Sequence, residues 1–389
     1  MSRILKIENF GPLQSASLNL GNFNIITGAQ SSGKSCVLKI ACFCAWVEKR
    51  IQLSQSASDF EKGDEFISLL LDFYQMEGYA RSESQIEYDS PYMKFSYDNS
   101  IKKFSFKWKS ARWNYKRPKI SYIPADRNLV ASIPAWGSLK LRGNMIDFMS
   151  DWDRARRFIM KEDNFLNLGL SYNFEPDTDI DRIRTEEGTP LLLAQSSSGI
   201  QSLLPMYIHL DYLTKGQYID QRDRGKDSYE DSEERKRLLS TLYRSKISVK
   251  NDLGSKLIKR KINGQDILFP DDSTANKFEK TFSHFVNTYR SEIFLEEPED
   301  NLFPSAQASF ISWLVSASKA HNDIVFIATH SPYILNQAIK ENPSGLEIFF
   351  THPINSGSHR YTVRQLSKEE IAELYGSGID LFYNFEYFL

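Results

Sequence analysis

Residues able to do chemistry on a polyphosphate lie in four short stretches of this chain. In "NIITGAQSSGKSC", glycines and small polar residues separate an apolar run from a lysine, with the spacing G-x-x-x-x-G-K-[ST]. The positions are Gly28, Ala29, Gln30, Ser31, Ser32, Gly33, Lys34 and Ser35. Such glycines let the backbone curl so that successive N–H groups point inward, and a helix N-terminus adds its positive dipole end. Lys34 would reach the β and γ phosphates of ATP, and the Ser35 hydroxyl would hold Mg²⁺. In "EIFLEEPEDNLFP" an apolar run ends on Glu296 and Glu297. The first suits support of Mg²⁺, and the second suits orienting or deprotonating an attacking water. "IVFIATHSPYIL" ends a second such run in His330, positioned to meet a γ-phosphate if both runs are parallel strands. "AQSSSGIQSLL" opens an apolar helix with Ser197, Ser198 and Gly199, an N-cap and a second anion-attracting helix start.

Each stretch also has a plain structural reading: a Gly/Ser loop, a charged turn, an incidental histidine and an N-cap. The surrounding elements decide between the readings. "RILKIENF", "QSASLNLG" and "FNIITG" are strand-length and bounded by Gly, Pro or Asn, which predicts three strands before the phosphate loop. A helix is expected from Lys34 to about Ile51, then a polar loop, "SQSASDFEKGDE". Alternation on either side of "YDNS" predicts a hairpin over Tyr92–Lys109, and "KISYIPADR" reads as a buried strand ending in a turn. Helical patterns cover Asn144–Leu168 and Gly199–Thr214, with the acidic, turn-rich "FEPDTDIDRIRTEEGTP" between them. After the acidic strand come a helix over Ser305–Lys319, the buried strand "DIVFIAT" and a helix from Pro332. Two strands, "LEIFFTHP" and "HRYTVRQL", precede a last helix with Ser367 and Glu370 in capping-box register. Strands alternating with helices, with near-continuous Ile, Phe and Val in the buried runs, predict a mainly parallel α/β core.

At 389 residues, one large domain with insertions or two domains is expected. The segment Lys215–Asn287 is dense in charges of both signs and reads as an inserted helical arm or lid at about 215–289. It divides a first part, 1–214, with an antiparallel β subdomain near 55–120, from a second part, 290–389. A net charge of -2 supplies no global field for nucleic acid or anionic membrane. No run approaches a membrane span and the start has no apolar leader, so a cytoplasmic, reduced protein is expected. Cys36, Cys42 and Cys44 fall in one apolar helical stretch and read as core packing, not a metal site.

Taken in order, the four stretches resemble the ATP-binding-cassette type of ATPase head found in SMC, RecF-like and OLD-type proteins. In those families they would be the Walker A, signature, Walker B and switch-histidine elements. "EEPEDNLFP" and "THSPYIL" look like the OLD-type, AAA_15/AAA_21 branch, where "EEPExxLHP" and "THSP" are typical. The chain departs from the pattern at Gln30 and Ser31, where Asn and Gly are usual. It departs again at Ser198 for the first signature glycine, at Glu296 for the commoner Asp, and at Phe303 for the His of "LHP". Gln85 is a candidate for the glutamine such heads carry, and Arg127 in "PADR" a candidate contact to the nucleotide region.

The resemblance implies a P-loop NTPase α/β fold, ATP and Mg²⁺ as ligands, and ATP hydrolysis. It implies a homodimer, or a higher even-numbered oligomer, with two nucleotides sandwiched between heads. Gly28–Ser35, Glu296, Glu297 and His330 would act in cis, while Ser197, Ser198 and Gly199 would cap the γ-phosphate of the partner's nucleotide. Residues 331–389 read as the close of the head, so a TOPRIM nuclease domain is not expected, and a separate effector protein is implied, often one of anti-phage defence. Two other readings stay open. "KKFSFKWKSARWNYKRPK" interleaves cations with aromatics as a nucleic-acid surface would, or is a half-exposed sheet with lysines outward. The chain could also be a scaffold that binds ATP with little turnover. The aromatic end "DLFYNFEYFL" reads as a packed helix or a docking segment.

Overall fold

The computed structural model describes residues 3–133, 142–162, 164–185, 188–223, 229–247, 257–355 and 357–377; the aromatic end lies outside them. Strands β1 (Arg3–Phe10), β2 (Leu13–Leu20) and β3 (Phe23–Gly28) lead into helix α1 (Lys34–Ser54), as the sequence predicts. Helix α2 (Glu65–Tyr74) and strands β4 (Ala80–Asp89), β5 (Met93–Asp98), β6 (Lys103–Trp108) and β7 (Pro118–Ile123) follow. Next come α3 (Leu129–Ser132), α4 (Asn144–Ile159), β8 (Lys161–Glu162), β9 (Leu170–Glu175), β10 (Ile180–Thr185), β11 (Leu191–Leu192) and α5 (Ser198–Asp211). The intervening segment holds α6 (Gln217–Asp223), α7 (Tyr229–Lys246), β12 (Ile258–Ile262), β13 (Gln265–Phe269) and α8 (Asp272–Val286). The chain continues through β14 (Arg290–Glu296), α9 (Pro304–Lys319), β15 (Ile324–Thr329), α10 (Pro332–Glu341), β16 (Leu346–Pro353), β17 (Tyr361–Gln365) and α11 (Lys368–Ser377).

An 11-stranded mixed sheet organises these elements, in the order β6-β5-β4-β1-β2-β17-β16-β3-β15-β14-β7. Strands β16, β3, β15, β14 and β7 run parallel, and β1, β2, β4, β5 and β6 form an antiparallel wing continuous with them. In the central strands alternate side chains enter two cores, one on each face. Ile293 and Leu295 join Val325 and Ile327 under α4, α5, α9 and α10, while Phe294 stacks on Phe326 at 4.5 Å under α1. The parallel register puts the C-terminal ends of β3, β14 and β15 at one edge, where loops carrying site residues emerge.

Several elements differ from the sequence expectation, each for a local reason. Helix α4 stops at Ile159, where Met160 turns to φ 55°, and does not reach Leu168. The acidic stretch after it forms the β9–β10 hairpin of a second, 4-stranded sheet. Its alternation is masked by charge, because Arg156 of α4 donates to both Asp179 and Asp181. The mixed-charge segment carries a two-stranded sheet besides its helices. Leu239, Phe269, Phe278 and Phe285 pack there against Tyr92 and Tyr115 in a third core. The capping box forms reciprocally: the Glu370 N–H donates to Ser367 Oγ and the Ser367 N–H to Glu370 Oε2.

A buried ion pair ties the first strand to the acidic one. Arg3 donates to both carboxylate oxygens of Glu292 at 2.9 and 2.6 Å, and Arg290 adds two bonds to Oε1 at 3.2 and 2.9 Å. Burial alone would raise the Glu292 pKa, but Arg3 and Arg290 overturn that and hold it at about 2. A carboxylate depressed from its ordinary 4.5 contributes stability present above that value and lost as pH falls toward 2, about 3 kcal/mol here. We expect stability to drop across that acid window in the parent and to flatten there in Arg3→Met/Glu292→Leu. We also expect Glu292→Leu alone to cost about 3–5 kcal/mol by stranding a buried guanidinium. Urea midpoints at stepped pH check both.

Candidate functional site

The phosphate loop is shaped by two left-handed glycines and the helix they open. Gly28 sits at φ 144°, and a Cβ there would lie 2.1 Å from Thr351 Oγ1, so β16 leaves room for hydrogen only. Gly33, at φ 93°, is the N-cap of α1 and supplies no side-chain cap. The first turn of α1 also lacks an acidic residue, so its N–H groups remain available to an anion. Thr351 donates to the Thr27 carbonyl at 3.2 Å and hydrogen-bonds Ser32, which pins the loop to the neighbouring strand. Lys34 curls back, Nζ donating to Gly28 O at 3.1 Å and Ala29 O at 2.8 Å. Burial lowers its pKa, against the pull of Glu297 and Glu299.

Gln30, Ser31, Ser32, Gly33, Lys34 and Ser35 line a cavity of about 300 Å³, closed by Pro12, Cys36, Tyr79 and Glu297. Glu297 thus reaches the phosphate loop from another strand, 269–262 residues later in the chain relative to Gly28–Ser35. It does so because its backbone leaves the β-region at φ 41°, with its N–H still bonded to Ala328 O at 2.8 Å. Burial, then Asp300, raises its pKa, as suits a proton acceptor. Glu296 is buried at the strand end and does not line the cavity. His330 Nδ1 lies 3.7 Å from Glu297 Oε1 and 3.4 Å from Glu299 Oε1, with no hydrogen-bond partner among the described residues.

Two positioning residues were not singled out for these roles in the sequence. Glu299 accepts from the Thr329 hydroxyl and the His330 N–H, both at 2.8 Å, and so sets the histidine beside the carboxylates. Arg127 is fully buried. It donates to Glu296 O at 2.8 Å, Glu297 O at 2.8 Å, Pro124 O at 3.2 Å and Ser202 O at 3.3 Å. Burial lowers its pKa to about 10 despite the nearby Asp300 and Glu299, so it stays charged at neutral pH. It therefore holds backbone in place instead of lining the phosphate-loop cavity. The wall residues Tyr79 and Pro12, and Thr351 against the loop at Gly28, carried no sequence signal, since only the fold brings them near the loop.

The serine-glycine helix start is not part of this cavity. Ser197 caps α5 by accepting from the Ile200 N–H at 3.5 Å, and Ser197 and Ser198 are exposed. A Cβ on Gly199 would lie 2.9 Å from Asn301 O, so that glycine lets α5 approach the loop after the acidic strand. Gln85 is exposed on β4, donates to Asp98 at 3.0 Å and is also outside the cavity. The cationic-aromatic stretch folds with Phe104, Phe106 and Trp108 inward. Lys109 pairs with Asp89, Lys119 with Asp151, and Arg112 lies over Trp108 and Trp113 at 4.9 and 4.1 Å. Lys103 and Lys107 stay exposed on the edge strand β6.

The strand order, the phosphate loop and the acidic strand across β15 from it define an α/β fold of the P-loop NTPase type. No protein-family model matches the chain, and no curated protein does. Among solved structures, the SMC head domain from Thermotoga maritima aligns over 94% of this chain and 99% of its own, at 10% identity and a TM-score of 0.43. An Smc head bound to the C-winged helix domain of ScpA covers 96% and 99%, at 10% and 0.40. An ATP-binding cassette of an ABC transporter in its ADP conformation covers 97% and 95%, at 11% and 0.31. At such identities and scores, the functional assignment rests on the geometry of the chain's own site. No helix of the described residues is long and apolar enough to cross a membrane.

Arg127→Met would leave the Glu296, Glu297 and Ser202 carbonyls without their shared donor. We expect a stability loss of about 3 kcal/mol. Thermal unfolding checks this.

Proposed function

We propose that the protein binds ATP with Mg²⁺ and hydrolyses it, and that the bound nucleotide joins two copies whose cycle controls a partner protein. The observation that carries this is the arrival of Glu297 in the cavity lined by the phosphate loop, with His330 beside it. The fit to a polyphosphate rests on the glycine cradle that a Cβ would fill and on the uncapped start of α1.

In this mechanism Lys34 exchanges its two carbonyl acceptors for β- and γ-phosphate oxygens. Ser35 would hold Mg²⁺, and Glu296, which does not line the cavity, would support the ion through water; the ion would supply charge neutralisation at those phosphates. Glu297 takes the proton of the attacking water and His330 contacts the γ-phosphate. Tyr79, exposed at the cavity mouth, offers a ring face for the base.

The two-copy arrangement has its own support. Ser197, Ser198 and Gly199 present an exposed helix start that is outside their own chain's cavity. Phe303 is 77% exposed and Tyr333 50%, apolar surface on the loop that follows the acidic strand and on the first turn of α10 after His330. A second copy would supply its helix start to the γ-phosphate and bury these rings. Hydrolysis then removes the anion that the helix start binds, and the interface weakens. We assign 1–214 and 290–389 to the head and 215–289 to an inserted arm that transmits this change. A separate effector, of the anti-phage defence kind, is the partner class that the motif resemblance favours.

We expect Glu297→Gln to bind ATP as the parent does, to lose at least about 100-fold in hydrolysis and to accumulate as a dimer with ATP and Mg²⁺. Light scattering and phosphate release read the two effects. Parental turnover in this variant would refute the assigned base. Phe303→Asp is expected to bind ATP and remain monomeric.

A further inference from the structure

A second cavity, of about 560 Å³, lies away from the phosphate loop between α1, α2, β7 and α4. Its volume falls in the range of small-molecule sites. The walls are aromatic: Phe43, Phe73, Tyr122 and Phe148 face it, and Trp46, 39% exposed and stacked on Phe43 at 5.7 Å, stands at its mouth. The polar lining is unevenly matched. Lys119 is paired with Asp151 at 2.7 Å, but Lys49 and Arg154 make no hydrogen bond or ion pair among the described residues. Asp147 is the remaining acid of the lining. An ammonium in an aromatic-lined cavity without a hydrogen bond or ion pair is costly unless something else meets the charge. Burial, with Arg117 and Lys119 nearby, pushes the Lys49 ammonium down to about 7, a cost that an arriving anion would offset.

We propose that this cavity binds a small planar aromatic molecule bearing one anionic group, its ring between Phe43, Phe73 and Phe148 and its anion on Lys49 and Arg154. Cys42 also lines the cavity, but burial pushes its thiol up to about 12, so the site binds without thiolate chemistry. The position suits a regulatory site. Helix α1 runs from the phosphate loop into this cavity, and β7 leads from it to the turn carrying Arg127. Ser121, on the cavity wall, hydrogen-bonds His209 of α5 at 3.2 Å.

The test titrates the full chain with 2-naphthoate and its neutral counterpart 2-naphthamide by calorimetry. We expect one saturable naphthoate site per chain, bound at least tenfold more tightly than the amide. Lys49→Met should abolish that preference while keeping amide binding. Asn144→Trp, which fills the cavity from α4, should block both ligands, with circular dichroism and the melting temperature showing that the variants fold. Lys34→Ala should bind naphthoate as the parent does, so the result stands whether or not the phosphate loop takes ATP. The proposal is overturned if naphthoate does not bind, if Lys49→Met keeps the parental preference, or if Lys34→Ala removes the site.

Discussion

One buried guanidinium holds the site's backbone together. The loop after β14 leaves its strand at Glu297, and the carbonyls of Glu296 and Glu297 turn to a side-chain donor. Arg127 meets both and adds Ser202 of α5, so a single planar cation joins the acidic strand end to the serine-glycine helix. A lysine has the charge but not the fork needed to reach several carbonyls at fixed angles. The desolvation this costs is evident in its depressed pKa, and the surrounding carboxylates offset part of it. With the carbonyls held, the Glu297 side chain lines the phosphate-loop cavity.

Around that anchor the site is assembled from strand ends. Parallel pairing of β3, β15 and β14 brings the phosphate loop, His330 and the acidic pair to one edge of the sheet. Glu299 then couples two of them, because one of its oxygens accepts from both the Thr329 hydroxyl and the His330 N–H. The antiparallel wing contributes as well: Pro12, from the turn between β1 and β2, and Tyr79, just before β4, close the cavity from the far side of the loop. Charge and packing divide the labour. The polar network sets directions, and the two cores on either face of the sheet supply the burial that keeps those directions fixed.

The same sheet explains how a signal could leave the site. Helix α5 begins at the exposed serines, touches Arg127 through Ser202, and buries His209 against Ser121 and Asp151 on β7 and α4. Burial lowers the His209 pKa to about 4, so it is neutral here and acts as a packed hydrogen-bonding ring. A shift of the helix start is thus linked by direct contacts to the wall of the second cavity. The third core is separate in composition and joins through Tyr92, Tyr115 and the bond from Arg117 to Val286 O at 2.6 Å.

What the sequence determined by itself was the local chemistry: the loop Gly28–Ser35, the strand ending in Glu296 and Glu297, the strand before His330, and the capped start of α5. Those signals are short-range, because a turn needing left-handed glycine or a fully buried strand writes its requirement into neighbouring residues. Helix α2, strand β4 and the β9–β10 hairpin were not legible; in β4 and the hairpin, charged side chains meet partners on other elements, as Glu87 meets Lys6 and Lys94 and Asp181 meets Arg156. Only the tertiary structure decided that Glu297 and not Glu296 lines the cavity, that Arg127 serves the backbone and that Tyr79 stands at the mouth. Each depends on which strand neighbours which and on a single φ of 41°. Pairing order is set by the burial of whole faces, and that sum over many residues is not readable in any one segment.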